Sequence, residues 1–389
     1  MRKKILFFSH SSELYGAEKT LLQTLEGLNK KEFHPILVLP RTGPLHQKAK
    51  KIAVETIVVP SKWWLTEKNR VWKQPFAWLW SLKCIVRIAH LSKRKDIDLV
   101  FSNSAVNFCG ALAARWKGVP HIWSIHEILG AKNAPLRFLF GRRALVSLIS
   151  ALSTKIIVNS DATGQFFGEK DKVRTVSIGF KWSLQERGLR EIYRQKFGYL
   201  ATDYVIGIVG KIYPGKGQKN VVKSIDLVKK NHPDVKLLVV GEVKDKGYFN
   251  EIQRFISAQK LDERVIFSDY LPEIFGVLAL LDLLVIASCV ESFGRVAVEA
   301  MSVKTPVLAV RKGAMAEVIT PGENGFLVDS PDPEVLAEAI LSICDIPEQI
   351  QKISEKGYQH VREKYSVENQ KKKTEEIVRE CFASKAEGE

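Results

Sequence analysis

Short runs of Val, Ile and Leu, each followed by a helix-length segment with an apolar stripe, recur from one end of this chain to the other. Few architectures accept that pattern. Continuous apolar strands are buried on both faces, and strands alternating with helices wind into parallel sheets covered by helices on both sides. In the first half the strand candidates are ILFFS (5–9), PILVLP (35–40), TIVVP (56–60), DLVFS (98–102), VPHIWSI (119–125) and KIIVNS (155–160). In the second they are YVIGIVG (204–210), VKLLVVG (235–241), RVIFS (264–268), DLLVIAS (282–288), TPVLAV (305–310) and GFLV (325–328). Six in each half predict two doubly wound α/β domains. The length of 389 residues agrees, because single cores stop growing near about 250–300 residues. Two domains imply a cleft. The expected division is 1–180, a linker over 181–203, a second domain over 204–364, and a C-terminal helix in 365–389 that ends in a charged tail.

The charge is uneven. Residues 1–185 hold 30 Lys+Arg against 12 Asp+Glu, a balance of +18, and the remaining residues hold 29 against 31, a balance of −2. The whole net +16 therefore resides in the first half. Such asymmetry suggests an anionic partner there, whether nucleic acid, an acidic lipid surface or a phosphorylated substrate, unless it is only a solvated basic face. Five cysteines (84, 109, 289, 344, 381) lie far apart without metal-ligand spacing, which suggests reduced cytosolic thiols. The opening MRKKILFFSH lacks the length and the cleavage site of a signal peptide. The longest greasy stretch, FGVLALLDLLVIA (275–287), is broken by Asp282 and falls short of the roughly 20 residues a bilayer requires. The chain is expected to be cytoplasmic, or held on the inner face of the cytoplasmic membrane.

Residues 207–217, GIVGKIYPGKG, follow the spacing of a triphosphate-binding P-loop up to the last position, where Gly217 replaces Ser or Thr. The loop joins a strand to a helix near Lys219–Lys230, with Val221, Ile225 and Val228 on one face. Lys216 and the amides of 215–218 are then expected at a helix N-terminus, where unpaired donors and the dipole favour an anion. The Mg²⁺-ligating hydroxyl is missing and Pro214 lacks an amide, so Mg²⁺-dependent triphosphate hydrolysis is disfavoured. A plain turn with a solvated lysine is the bland alternative. A second constellation is IASCVESFGRVAVEAM (286–301), where a strand ends, a loop carries Glu291, Phe293 and Gly294, and a helix carries Glu299. The carboxyl ends of strands are where open α/β sheets bind ligands. Two glutamates at this spacing are often a solvated face, but Glu299 sits among Val296, Ala297, Val298, Ala300 and Met301, which argues against plain exposure.

The pattern Glu291 to Glu299 within ESFGRVAVEAM, followed by TPVLAV, GAMAE (313–317) and ENGFLV, resembles the donor-binding half of glycosyltransferase family 4. These are retaining enzymes of GT-B architecture, with two Rossmann-like domains facing a central cleft, and the resemblance implies that the C-terminal helix in 365–389 crosses back to the first domain. The loop VGKIYPGKG is similar to that family's phosphate loop, and YGAEKTL (15–21) to its glycine-rich N-terminal loop. The resemblance implies that Lys216, with Lys211 in place of the usual arginine, holds the diphosphate of a nucleotide sugar, and that Gly16 brings its backbone near the same group. It implies that His126, in SIHE (124–127), faces the donor sugar, that Glu291 binds that sugar, that Phe293 and Gly294 offer amides, and that Glu299 binds the ribose hydroxyls. It further implies transfer of a hexose-type sugar, from UDP in preference to GDP, to a glycan or lipid-linked acceptor, with catalysis by His126, Lys216, Glu291 and Lys211 and no metal or other cofactor. A nucleotide-sugar epimerase, a phosphorylase or a nucleotide-sugar-binding protein without turnover remain alternatives on the same architecture. The only D-x-D, Asp96 to Asp98, leads into a strand and reads as a strand-edge feature rather than a metal motif.

Residues 61–95 hold five of the eight tryptophans (63, 64, 72, 78, 80) interleaved with Lys and Arg. That composition suits an anionic bilayer interface, and equally a core-facing helix with Trp78, Leu79, Leu82, Ile85, Val86 and Ala89 inward. Aromatic stacking on nucleic acid is the weaker option, since no recognised motif accompanies it.

Overall fold

The computed structural model describes residues 2–129, 136–168, 171–180, 188–269, 271 and 273–386. Residues 181–187 of the expected linker, and the last residues of the charged tail, lie outside them. The chain divides into two compact units, Met1–Phe180 with Tyr365–Glu389, and Lys181–Lys364.

The first unit is built on a parallel sheet of β1 (Lys3–Ser9), β2 (Phe33–Leu39), β3 (Glu55–Val58), β4 (Leu99–Asn103), β5 (His121–Ile125), β6 (Lys155–Val158) and β7 (Val173–Thr175). Its spatial order is β3-β2-β1-β4-β5-β6-β7, all neighbours parallel. The period-two geometry of a strand sends alternate side chains to opposite faces. Leu6 and Phe8 accordingly join the core under α3 (Gln74–Arg94), α4 (Cys109–Lys117) and α5 (Gly141–Leu152). Ile5 and Phe7 join the core under α1 (Gly16–Gly27) and α2 (Pro44–Lys51). The sequence leads one to expect six strands here; β7 is a seventh, a short edge strand carrying Arg174 at its middle. A two-residue ribbon of Thr66–Glu67 and Leu136–Arg137 lies apart from the sheet. The last helix of the chain, Val367–Ala386, packs on this unit: Ile377, Val378 and Cys381 are buried with Leu21 and Leu25 of α1. Its polar side chains bind backbone, the Gly179 N–H donating to Gln370 Oε1 at 2.8 Å and the Asn29 N–H to Glu375 Oε1 at 2.7 Å.

The Trp-rich stretch divides between the two expectations. Trp64 is buried against Trp123, with ring centroids 5.9 Å apart, and Trp78, Ile85 and Ala89 turn into the core. Leu79, Leu82 and Val86, placed inward by the core-facing reading, instead stand exposed.

The second unit repeats the architecture. Numbering its helices onward, α6 (Leu189–Phe197), α7 (Gln218–Val228), α8 (Lys246–Ala258), α9 (Ile274–Leu280), α10 (Arg295–Met301) and α11 (Pro333–Cys344) accompany six strands. These are β8 (Tyr204–Val209), β9 (Val235–Val240), β10 (Val265–Ser268), β11 (Leu283–Ile286), β12 (Val307–Val310) and β13 (Phe326–Val328), in the order β10-β9-β8-β11-β12-β13. One core face joins Val221, Ile225 and Val228 of α7, Ile252 of α8 and Ile340 of α11 to the strands. The expected linker 181–203 is only partly a linker, for α6 belongs to this unit: buried Arg194 bonds Asp282 at 3.1 Å, and Asp282 also accepts from the Val205 N–H at 2.7 Å. Among the described residues, no helix is long and apolar enough to cross a membrane.

His121, at the start of β5, shows how a polar ring is kept inside such a core. Its Nδ1 lies 3.1 Å from the Leu152 carbonyl and its Nε2 2.9 Å from Ser102 Oγ. The carbonyl can only accept, so Nδ1 donates and Nε2 accepts the Ser102 hydroxyl. Burial pushes the imidazole down to about 3, against roughly 6.5 in an unfolded chain. Below about pH 6.5 the unfolded state takes up a proton that the folded state refuses, so this stability is complete above that value and is lost as pH falls toward 3. We expect His121 to account for a loss of about 1.4 kcal/mol at pH 5.5. Denaturant titrations at pH 7.5 and 5.5 should show a smaller drop for His121→Gln than for the parent; equal drops would contradict the buried neutral ring.

Candidate active site

In a sheet that winds outward in both directions from its first strand, crossovers leave on opposite faces at the point of reversal, and a crevice remains outside the carboxyl ends. In the second unit that point lies between β8 and β11. The loop after β8 carries Lys216 and the loop after β11 carries Glu291. Their side chains meet there, Lys216 Nζ donating to Glu291 Oε2 at 2.9 Å, with 25% and 17% of the two side chains exposed. Desolvation pulls the lysine down, but the Glu291 carboxylate more than offsets it, and the ammonium is held above its ordinary value.

Backbone geometry fixes both residues. Gly217 caps α7 at φ +74°, a left-handed conformation, and a Cβ there would lie 2.4 Å from the Ala287 carbonyl oxygen. No serine or threonine fits, which gives the physical reason for the departure from the P-loop pattern. The Cys289 N–H donates to the Gly215 carbonyl at 3.0 Å, stitching the two loops together. Gly313, at φ +60°, lies so close to Glu291 that a Cβ would meet its carbonyl oxygen at 2.0 Å, and the Ala314 N–H donates to that oxygen at 2.8 Å. One expectation is corrected: the amides of Lys216 and Gly217 do not point at a ligand, because the turn Pro214–Lys216 is a 3₁₀ helix in which they donate to Tyr213 and Pro214. Of the amides of 215–218, at most those of Gly215 and Gln218 remain for an anion.

The other residues of this unit are placed as follows. Lys211 stands at the surface with its Nζ 3.7 Å from Glu242 Oε2. Phe293 is buried, and Gly294 precedes the seven-residue α10 at φ +86°. Glu299 is 7% exposed, so it is no solvated face; its Oε1 accepts from Arg295 Nε at 2.8 Å. Arg295 is a partner that the sequence reading did not single out.

The first unit reverses direction between β1 and β4, and polar groups collect at the carboxyl ends there too. Gly16 opens α1, and a Cβ on it would meet no atom within 4 Å, so packing does not require the glycine and the space outside it is open. His126 follows β5. Its Nε2 lies 2.8 Å from Asn103 Oδ1, while Asn103 Nδ2 donates to the Ala17 carbonyl at 3.2 Å. That carbonyl only accepts, so the asparagine must turn its amide nitrogen to α1 and its oxygen to the ring. His126 therefore carries its proton on Nε2, and Nδ1 is a bare acceptor, out of solvent contact and without a hydrogen-bond partner among the described residues. Desolvation pushes the ring down to about 4, with the Glu127 carboxylate opposing and His10 assisting. Glu127 is held by its own surroundings: its carboxylate accepts from the Ser104 hydroxyl, from the Ala105 N–H at 3.1 Å and from the His126 N–H at 3.2 Å. His10 Nε2 meets the buried Glu18 at 3.1 Å. Asn103, Glu127, His10 and Glu18 were all missed from sequence; only Glu127, beside His126 in SIHE, and Glu18, in YGAEKTL, lay within quoted motifs. The D-x-D is structural, Asp98 accepting from the Lys4 N–H at 2.7 Å at the amino end of the sheet.

Known proteins resemble both halves of the chain. Residues 190–360 match the family described as glycosyl transferases group 1, and residues 15–180 match Glycosyltransferase Family 4. A D-inositol 3-phosphate glycosyltransferase of Segniliparus rotundus is 28% identical over 257 residues, 62% of this chain and 57% of the relative. The capsular polysaccharide biosynthesis glycosyltransferase CapM of Staphylococcus aureus is 23% identical, covering 59% of each chain. The present chain thus spans somewhat over half the length of these curated relatives. Among solved structures, Anabaena Alr3699/HepE in complex with UDP superposes with a TM-score of 0.83 at 23% identity, covering 97% of this chain and all of the other. The lipopolysaccharide outer core galactosyltransferase WaaB does so with a TM-score of 0.72 at 14% identity, over 98% and 99%. Both share the GT-B fold of two parallel-sheet α/β domains. The two family matches between them take in most of both units, and the chain belongs to glycosyltransferase family 4.

Proposed function

We propose that this protein is a retaining glycosyltransferase that moves a hexose-type sugar from UDP, with GDP the second choice, to a hydroxyl of a phosphorylated or lipid-linked cell-envelope acceptor, without a metal ion. The observation that carries the reading is the Lys216–Glu291 pair at the reversal point between β8 and β11. A cation that stays protonated beside a carboxylate suits a ligand that presents a diphosphate next to hydroxyls. Lys216 takes the diphosphate, Glu291 accepts from sugar hydroxyls, and Glu299, buried one to two turns into α10, accepts from the ribose. Lys211, at the surface beside Glu242, is the second cation of this loop. The uridine nucleotide is carried over from a structural neighbour whose complexes hold UDP and UDP-glucose. The acceptor class is carried over from relatives named for inositol phosphate and capsular polysaccharide.

The chemistry asked of these residues is electrostatic. The bond between the anomeric carbon and the diphosphate oxygen breaks, its electron pair stays on that oxygen, and the acceptor hydroxyl attacks on the same face while its proton passes to the departing phosphate. Lys216 stabilises charge that grows as the bond stretches, and groups of that kind contribute most of their effect in the transition state. His126, neutral above about pH 4, accepts a substrate hydroxyl at Nδ1, and Asn103 keeps the ring in the tautomer that can.

Lys216→Ala should lower kcat by about 10²- to 10³-fold while the product keeps the anomeric configuration of the donor; near-parental turnover, or an inverted product, would sink the assignment. Nitrogen-15 NMR of the histidine ring should find His126 protonated on Nε2 and untitrated from pH 8 to 5, and Asn103→Leu should release it to titrate or to mix tautomers. A parent ring protonated on Nδ1 would remove the role given to Asn103.

A further inference from the structure

The three helices covering one face of the first unit's sheet share a basic composition without acids. Together α3, α4 and α5 contain eight Lys or Arg and no Asp or Glu. Among the described residues, ten of the fourteen large apolar side chains that stand exposed lie on these helices or in the segments entering them. Phe76, Leu79, Leu82 and Val86 of α3 are 69, 68, 54 and 52% exposed, Trp116 of α4 is 61%, and Phe140, just before α5, is 66%. The inward residues of the same helices, Ile85, Ile88 and Ile149 among them, are buried, so α3 is apolar on two sides and only one of them is used by the core. The opposite layer of α1, α2 and the C-terminal helix carries both charge signs taken together, and among the described residues the only exposed large apolar side chain on its helices or in the segments entering them is Tyr15, just before α1.

We propose that this layer is a docking surface for an anionic lipid bilayer. Contiguous exposed apolar groups mark an interaction surface, and the charge decides what covers it. A second copy of the chain would bring eight cations against eight with no acid between them. Nucleic acid has no use for Leu79, Leu82 and Val86, which offer no ring to stack on a base. At a bilayer the aromatic and aliphatic groups enter the acyl boundary, while Lys83, Arg87, Arg142 and Arg143 meet lipid phosphates from the same face. The inference stands apart from the donor assignment, since it concerns neither Lys216 nor Glu291.

The test is flotation of the full chain with phosphatidylcholine vesicles and with vesicles containing phosphatidylglycerol, at 0.1 and 0.5 M NaCl. Binding should favour the anionic vesicles at least about tenfold and fall with salt, with a blue shift of tryptophan emission. Each cation near an anionic surface strengthens binding about fivefold, so Lys83→Gln with Arg87→Gln should weaken it about 25-fold. Leu79→Ser, Leu82→Ser and Val86→Ser together should abolish the blue shift and most of the affinity; Leu79→Ser alone serves if the triple variant does not fold. Unchanged UDP-induced stabilisation in these variants separates loss of docking from loss of the donor site. Absence of binding to anionic vesicles at low salt would overturn the proposal. So would binding that the serine substitutions leave intact, which is charge adsorption alone, or a concentration-dependent dimer that they abolish without any lipid binding.

Discussion

A parallel sheet can be wound outward from its first strand in two directions, and where the direction changes no helix closes over the strand ends. Everything assigned to this protein depends on that gap. Each unit has one, between β8 and β11 and between β1 and β4, and the loops that end those strands carry the polar groups of the candidate site. The apolar strands position the chemistry by what they leave uncovered. The glycines at 217 and 313 then bring neighbouring loops closer than any side chain would allow, so that a lysine and a glutamate 75 residues apart can share a hydrogen bond.

That pair sets the electrostatics of the second unit. Each partner is mostly withdrawn from water, and a half-buried charge left alone is far more costly than the pair. Lys216 therefore keeps its proton, and its removal exposes Glu291 to the penalty of being unpaired. In the first unit the logic runs the other way. The His126 ring is neutral because burial outweighs the carboxylate beside it, and its hydrogen-bonding sense is dictated by a chain that begins at a helix carbonyl. One site holds charge and the other suppresses it, as different tasks on the two units would require.

The twelve strands read from sequence are all present, because a strand buried on both faces is written as an uninterrupted apolar run. β7 escaped because it lies at an edge, where Arg174 is tolerated. The helix α6 was hidden in an apparent linker because its attachment is ionic, through Arg194 and Asp282, and leaves no hydropathy signature. Lys216, Glu291 and Glu299 were legible because each sits in or just past a strand-to-helix loop. Asn103 was not, since what it does depends on a carbonyl 86 residues away. The loop at 207–217 differs from its sequence reading for a local reason: Pro214 starts a 3₁₀ turn that consumes two of the expected amides. The tryptophans were ambiguous because a helix with two apolar sides satisfies both readings, and only the packing tells which side of α3 the sheet takes.

The central claim, a diphosphate site that works without metal, is tested most directly by thermal unfolding in the presence of UDP, GDP or ATP, each with Mg²⁺ and with EDTA. A ligand at 100 times its Kd adds about 2.7 kcal/mol, enough to move the midpoint by several degrees. The account predicts that UDP stabilises the protein equally with Mg²⁺ and with EDTA, and that Lys216→Ala abolishes the shift. Stabilisation by ATP alone, dependent on Mg²⁺, would contradict it and return the loop at 207–217 to the triphosphate-binding class.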